Sequence, residues 1–306
     1  MEPFKIVFIV LIILAFILVV IFSGLSNLAR FKAMSKEDTL FANSYESPTK
    51  DPVLLEPVFD IYGIWVFVYV YQMGLICYAV SLMLRPGAPD ILQKKFYGCY
   101  LLALVFNIAW MFLWTNNAHA LGFVFYALQA ICLNVALYHA CTSCHDHLQL
   151  FPNADETTNA TDIWLIRSLV INGLAFFTGW ISVTAFVDFS TVLQSELGVS
   201  QSAAAKASLS LLLVAMLLWS FVQNFVCELY TRFMFTEHFP VVVAIGGIIG
   251  KEWGHQHDVV KAYTIAVFIV SVMLLLFRLG FIMSKEIKRG SLLRVHHEAG
   301  ENVKLF

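Results

Sequence analysis

The sequence predicts an all-α fold, a polytopic membrane helix bundle with eight transmembrane helices. Three observations carry this. Apolar residues make up 59% of the 306 and charged residues 13%, where a soluble domain has about 45–50% and about 25%. The mean hydropathy is +0.77. The apolar residues fall in continuous runs near the roughly 20 residues a helix needs to cross a bilayer, not in the alternating pattern of a membrane barrel. Such a composition excludes a cytosolic enzyme, a disordered chain and a disulfide-rich secreted module. With 19 basic and 21 acidic residues the net charge is -2, so there is no basic footprint for a nucleic acid partner.

The spans are justified in chain order. Ile6 to Ser23 is free of charge. It is too long for the apolar region of a signal peptide and is preceded only by Lys5, so it reads as a retained helix. Ile61 to Leu84 is the second span, stopped by Arg85, Pro86 and Gly87. Phe96 to Trp114 and Leu121 to Ala140 are the third and fourth. Leu169 to Phe189 is the fifth, with Arg167 before it and Asp188 in its last turn. Leu209 to Val226 is the sixth, and Ala262 to Met283, holding Arg278, is the last. Between these two lies Phe239 to Gly250, apolar but short and carrying a Gly-Gly pair. It reads as a seventh segment, tilted or re-entrant. The expected organisation is a five-helix bundle over 1–192 with a long polar first loop (24–57), a further three-helix region over 193–283, and a basic cytosolic tail over 284–306.

Lysine and arginine favour cytoplasmic flanks. Lys285, Lys288, Arg289 and Arg294 place the tail inside. Eight spans then put the N-terminus, Arg85, Lys94 and Lys95 inside as well. The loop from Ser143 to Asp162 follows them, although it lacks basic residues and holds the glycosylation triplet Asn159-Ala160-Thr161. Seven spans move that loop outside, and Arg85, Lys94 and Lys95 with it. The basic residues favour eight.

Polar and aromatic residues recur at helical spacing inside the spans. Tyr62, Trp65, Tyr69 and Gln72 share a face of the second helix; Asn107, Trp110 and Trp114 share one of the third. In the fifth, Asn172, Phe176, Trp180, Thr184 and Asp188 follow a four-residue step. Polar groups in hydrocarbon need partners or an enclosed cavity. Three such faces converging would make a pocket for a large, flat, apolar ligand. The same stripes also suit helix packing, with Asn–Gln hydrogen bonds and aromatics in the interfacial belt.

Trp65-Val66-Phe67 with Tyr69 and Tyr71 resembles the aromatic second helix of the TspO/MBR family, the tryptophan-rich sensory or translocator proteins. Asn107-Ile108-Ala109-Trp110 is similar to that family's Asn-x-x-Trp, and Gly179-Trp180-Ile181-Ser182-Val183-Thr184-Ala185 to its helix-five motif. The resemblance covers about 1–192. Val68-Tyr69 stand where the family usually has Gly-Pro, and Val187-Asp188 where it has Leu-Asn. The resemblance implies a bundle that binds, senses or transports a tetrapyrrole, a sterol or a similar ligand. Trp65, Tyr69, Asn107, Trp110, Phe176 and Trp180 are the expected ligand-binding residues. Haem or porphyrin is then a ligand, and no resident cofactor is expected. The lipid bilayer is a further partner, and a homodimer is compatible with such a bundle.

Other motifs are local. Cys141-Thr142-Ser143-Cys144-His145 fits covalent haem attachment, and with His139 and His147 a zinc site, but reads first as juxtamembrane cysteine open to palmitoylation. Glu252, His255, His257 and Asp258 form a metal or proton cluster or a solvated loop. Val226 to Arg232 fits the loose cholesterol pattern. Arg278 is expected to snorkel to the interface, and Asp188 and Glu228 to reach water. No catalytic motif is legible, so no enzyme activity is expected. An unrelated secondary transporter with a broken helix and a haem-containing membrane redox protein are the alternative functions.

Overall fold

The computed structural model of the protein describes residues 3–34, 55, 63–85, 90–150, 160–252 and 258–303. All regular structure among them is helical. The principal helices are α1 (Pro3–Met34), α2 (Ile64–Leu84), α3 (Lys94–Thr115), α4 (His119–Leu150), α5 (Ala160–Ser195), α6 (Gln201–Val226), α7 (His238–Glu252) and α8 (Asp258–Val303). Seven of them are long and apolar enough to cross a membrane. The eighth, α7, has 15 residues, about 22 Å at 1.5 Å per residue, against a hydrocarbon core of about 30 Å.

Local chemistry sets the helix ends. Proline opens α1, where its missing N–H is not needed. α2 stops at Leu84 because Arg85 precedes Pro86, and a residue before proline is pushed to extended backbone; Arg85 has φ -95° and ψ 112°. The α3–α4 turn uses Asn117 at φ 56°, a left-handed conformation that asparagine tolerates. Several helices outrun the hydropathy of their sequences. α4 carries Cys141 to His145 on into its last turns, α5 starts before Arg167, and α8 extends the tail as helix to Val303.

Side-chain pairings give the direction of each helix. Lys5 pairs with Asp90 and Phe22 packs on Phe112 at 4.8 Å, so α1 runs parallel to α3. Trp65 meets Trp180 at 6.0 Å, and Arg85 binds Asp162 at 2.6 Å, so α2 is antiparallel to α5. α3 and α4 are antiparallel through Asn107–Gln129 and Trp110–Tyr126. α4 and α5 are antiparallel through Tyr126–Thr184 and Phe123–Phe189. Ser210 bonds Tyr263 at 2.8 Å and Arg278 bonds Asn224 at 2.8 Å, so α6 and α8 run parallel. The short α7 therefore carries the chain back between them.

α5 is the axis. In its span 72% of residues are buried, against 22–39% in the other six. α2 and α4 cover it on one side and α6 and α7 on the other. The closest approach is at Gly179, where the carbonyl of Glu237 occupies the place of a Cβ. Only glycine admits α7 to this depth. Arg85, Lys94, Lys95 and Lys285 gather at one end of the bundle, fixed by Arg85–Asp162 and by Lys285–Glu228 at 2.7 Å. Bonding to Asp162 also raises the pKa of the Arg85 guanidinium. The α4–α5 connection leaves from the same end. Its residues 151–159, Asn159 included, lie outside the described residues, as do Tyr62, His255 and His257.

Candidate functional site: an aromatic centre on α5

The inward face of α5 presents Phe177, Trp180, Thr184 and Asp188, spaced by three or four residues and hence stacked along one side. Trp180 is fully buried. Its ring stands edge-on to Trp65 at 83°, and Trp65 in turn stacks on Tyr69 at 5.5 Å. Phe177 approaches Trp65 at 6.3 Å. The Tyr69 hydroxyl donates to Ser23 of α1 at 2.6 Å. These contacts form the first tier, between α1, α2 and α5.

The second tier joins α3, α4 and α5. Trp110 stacks on Tyr126 at 4.5 Å, and its indole N–H donates to Asp188 at 2.8 Å. The Tyr126 hydroxyl shares a 2.8 Å hydrogen bond with Thr184, and Thr184 donates to the Trp180 carbonyl at 2.8 Å. Thr184 thereby links the two tiers. One turn along, Asn107 donates to Gln129 Oε1 at 3.2 Å. The Nε2 of that fully buried glutamine has no partner among the described residues. Trp114 continues the row, 6.1 Å from Trp110 and 4.7 Å from His119.

Five of the six expected residues thus belong to these tiers: Trp65, Tyr69, Asn107, Trp110 and Trp180. Phe176 lies apart, against Tyr71 at 5.6 Å. Its neighbour Phe177 faces Trp65 instead, because consecutive helical residues point about 100° apart. Gln72 serves packing: it accepts from Tyr100 at 2.6 Å and donates to the Gly173 carbonyl. Asp188 does not reach water as expected; it is buried under Trp110. Tyr126 and Gln129 belong to the centre but had no neighbouring polar stripe to reveal them on α4.

A separate buried constellation surrounds the start of α7. Arg278 is fully buried rather than snorkelling. It donates to the carbonyls of Met234 (3.0 Å) and Thr231 and to Asn224 Oδ1. On α5, Asn172 donates to Phe233 O at 2.8 Å and accepts from Phe235 N at 3.0 Å. Glu237 accepts from Trp219. Each amide sits in or beside a π-helical turn, Ile166–Ile171 or Val222–Val226. Irregular backbone at membrane depth needs such partners. Near the basic end, Cys141 and Cys144 are buried thiols on α4, and His145 meets Tyr230 at 4.9 Å. Among the described residues no three His, Cys, Asp or Glu side chains are arranged as metal ligands.

The family model described as "TSPO-like protein" matches residues 9–278, a match that runs on through α6 and α7 to Arg278 in α8. No curated protein and no solved structure matches the chain.

Proposed function

We propose, because this chain belongs to the family of TSPO-like proteins, that its aromatic centre binds a flat, largely apolar ligand of the tetrapyrrole or sterol class for sensing or transport. The observation that supports this is the meeting of Trp65, Trp110 and Trp180 on one face of the central α5, joined through Thr184. Tryptophan offers about 150–250 Å² of apolar surface and a rigid ring for stacking. Buried amides and a carboxylate beside such rings orient a ligand rather than drive its binding. The chemistry required is recognition alone.

The test is titration of the purified protein in lipid nanodiscs with protoporphyrin, read by quenching of tryptophan emission. Saturable quenching is expected, and Trp65→Leu weakens it by about tenfold through lost stacking and area. Quenching that does not saturate, or is equal in Trp65→Leu, overturns the reading.

A second reading, a secondary transporter, has one observation behind it. The chain re-enters the bundle as irregular backbone between Thr231 and His238, held by Asn172 and Arg278. Broken helices at substrate sites have this form. Ligand uptake into proteoliposomes, tested with and without a proton gradient, distinguishes it from binding alone.

A further inference from the structure

Asp188 is 8% exposed within a helix long enough to cross the membrane. Its Oδ2 accepts from the Trp110 indole, and among the described residues its Oδ1 accepts from nothing and no lysine or arginine pairs with it. A carboxylate removed from water without a counter-ion costs several kcal/mol. This one nevertheless stands among aromatic rings. Trp110 lies stacked on Tyr126, and Trp114 is 6.1 Å from Trp110. Ring faces attract cations, tryptophan most strongly. A fully buried polar atom of the same centre, Gln129 Nε2, has no partner among the described residues. A purely apolar occupant would offer Gln129 Nε2 and the second Asp188 oxygen no partner, and packing alone gives no reason to place a carboxyl group here.

We infer that the aromatic centre takes an ammonium-bearing amphiphile, its cation held between the Asp188 carboxylate and the faces of Trp110 and Trp114. The inference rests on the ligand-binding reading above and adds to it the charge of the ligand. The flat apolar body lies against Trp180 and Trp65, and the ammonium supplies the counter-ion that the protein itself does not. A free organic amine and the choline of a membrane lipid share this chemistry.

The experiment compares pyrenemethylamine with methylpyrene, which have the same flat body with and without the cation. Binding is read by energy transfer from tryptophan to pyrene in phosphatidylglycerol nanodiscs. The expected result is that the amine binds about tenfold or more tightly than methylpyrene. Asp188→Asn removes that advantage, and Asp188→Glu retains part of it. Far-UV helix content and a single elution peak establish that each variant is folded. Equal affinity of the two probes, or an amine advantage that survives Asp188→Asn, overturns the inference and leaves the aromatic site standing. If neither probe transfers energy saturably, the ligand-binding reading fails, and the inference with it. Replacing half of the lipid by phosphatidylcholine separates the sources. Competition with the amine identifies the lipid headgroup as the cation, and its absence identifies a free amine; each result upholds the carboxylate–ammonium site.

Discussion

Arg278 and Asp188 both show how a charged side chain inside a span is explained by its partners rather than by its position along the helix. Arg278 is near enough to the end of the apolar stretch of α8 to reach the interface, and its long stem would allow it. It turns inward because the chain between Thr231 and Met234 leaves carbonyls that no helix satisfies, and its planar fork reaches them together with Asn224. None of this was legible in the sequence, since the acceptors lie 44 to 54 residues away. Replacing Arg278 by leucine leaves two buried acceptors, the Met234 carbonyl and Asn224 Oδ1, without a donor, each costing about 1–3 kcal/mol, while the Thr231 carbonyl keeps the Met234 N–H. The expected outcome is a melting temperature several degrees lower, with Arg278→Lys recovering part of the loss. A leucine variant that melts with the unmodified protein would show that these carbonyls find other donors. The tryptophans were legible, because Trp65, Trp110 and Trp180 each recur with polar residues at helical spacing. Tyr126 and Gln129 were not, because α4 offers polar residues on several faces.

The seven long helices follow from their continuous apolar runs, whose length alone decides that they cross. Their ends follow less well. Burial inside the bundle lets α4 and α5 continue past the point where hydropathy falls, so Cys141 and Cys144 are packed among the helices. The short α7 is the instructive element. Its 15 residues leave its direction open in the sequence, whereas the parallel pairing of α6 with α8 requires it to return the chain. This predicts which loops share a face. In a cysteine-depleted background, Val259→Cys, at the start of α8, reacts with a membrane-impermeant maleimide from the same side as Glu196→Cys. Lys94→Cys and Lys285→Cys react from the opposite side. Should Val259→Cys label together with Lys94→Cys, α7 does not cross. The sequon at Asn159 then has a definite expectation. The residue after it, Ala160, opens α5 at the end that holds Arg85, Lys94 and Lys285, and by the distribution of basic residues that end is cytoplasmic. Glycosidase treatment of protein from eukaryotic cells therefore leaves its mobility unchanged, and a shift abolished by Asn159→Gln would invert the orientation.

At the scale of the whole molecule, α5 belongs to both parts of the bundle that the sequence suggests, the five-helix part ending near residue 192 and the three helices after it. One side of α5 carries the aromatic centre against α2, α3 and α4. The other holds α6 and α7 by Ser208 bonded to the Phe186 carbonyl, by Asn172 bonded to the backbone at Phe233 and Phe235, and by the bare surface of Gly179. The family match, extending from 9 to 278, also treats the two parts as one unit. A five-helix fragment ending at Ser195 would leave the Asn172 amide oxygen without its partners Phe235 and Thr236, at a cost of several kcal/mol per group in hydrocarbon, although the amide nitrogen keeps the Arg167 carbonyl. It would also expose the groove at Gly179 that α7 fills. We therefore expect residues 1–195 produced alone to aggregate or to elute as a mixture in mild detergent. Co-production with residues 196–306 should restore a single peak, because the break falls in the turn around Gly198 and cuts no helix. In the rejoined protein Trp180 returns to its buried place, read as blue-shifted tryptophan emission. A fragment that is monodisperse alone, and melts no lower than the rejoined pair, would mean that the five helices stand by themselves and that α6 to α8 are an appendage rather than half of the support for the site.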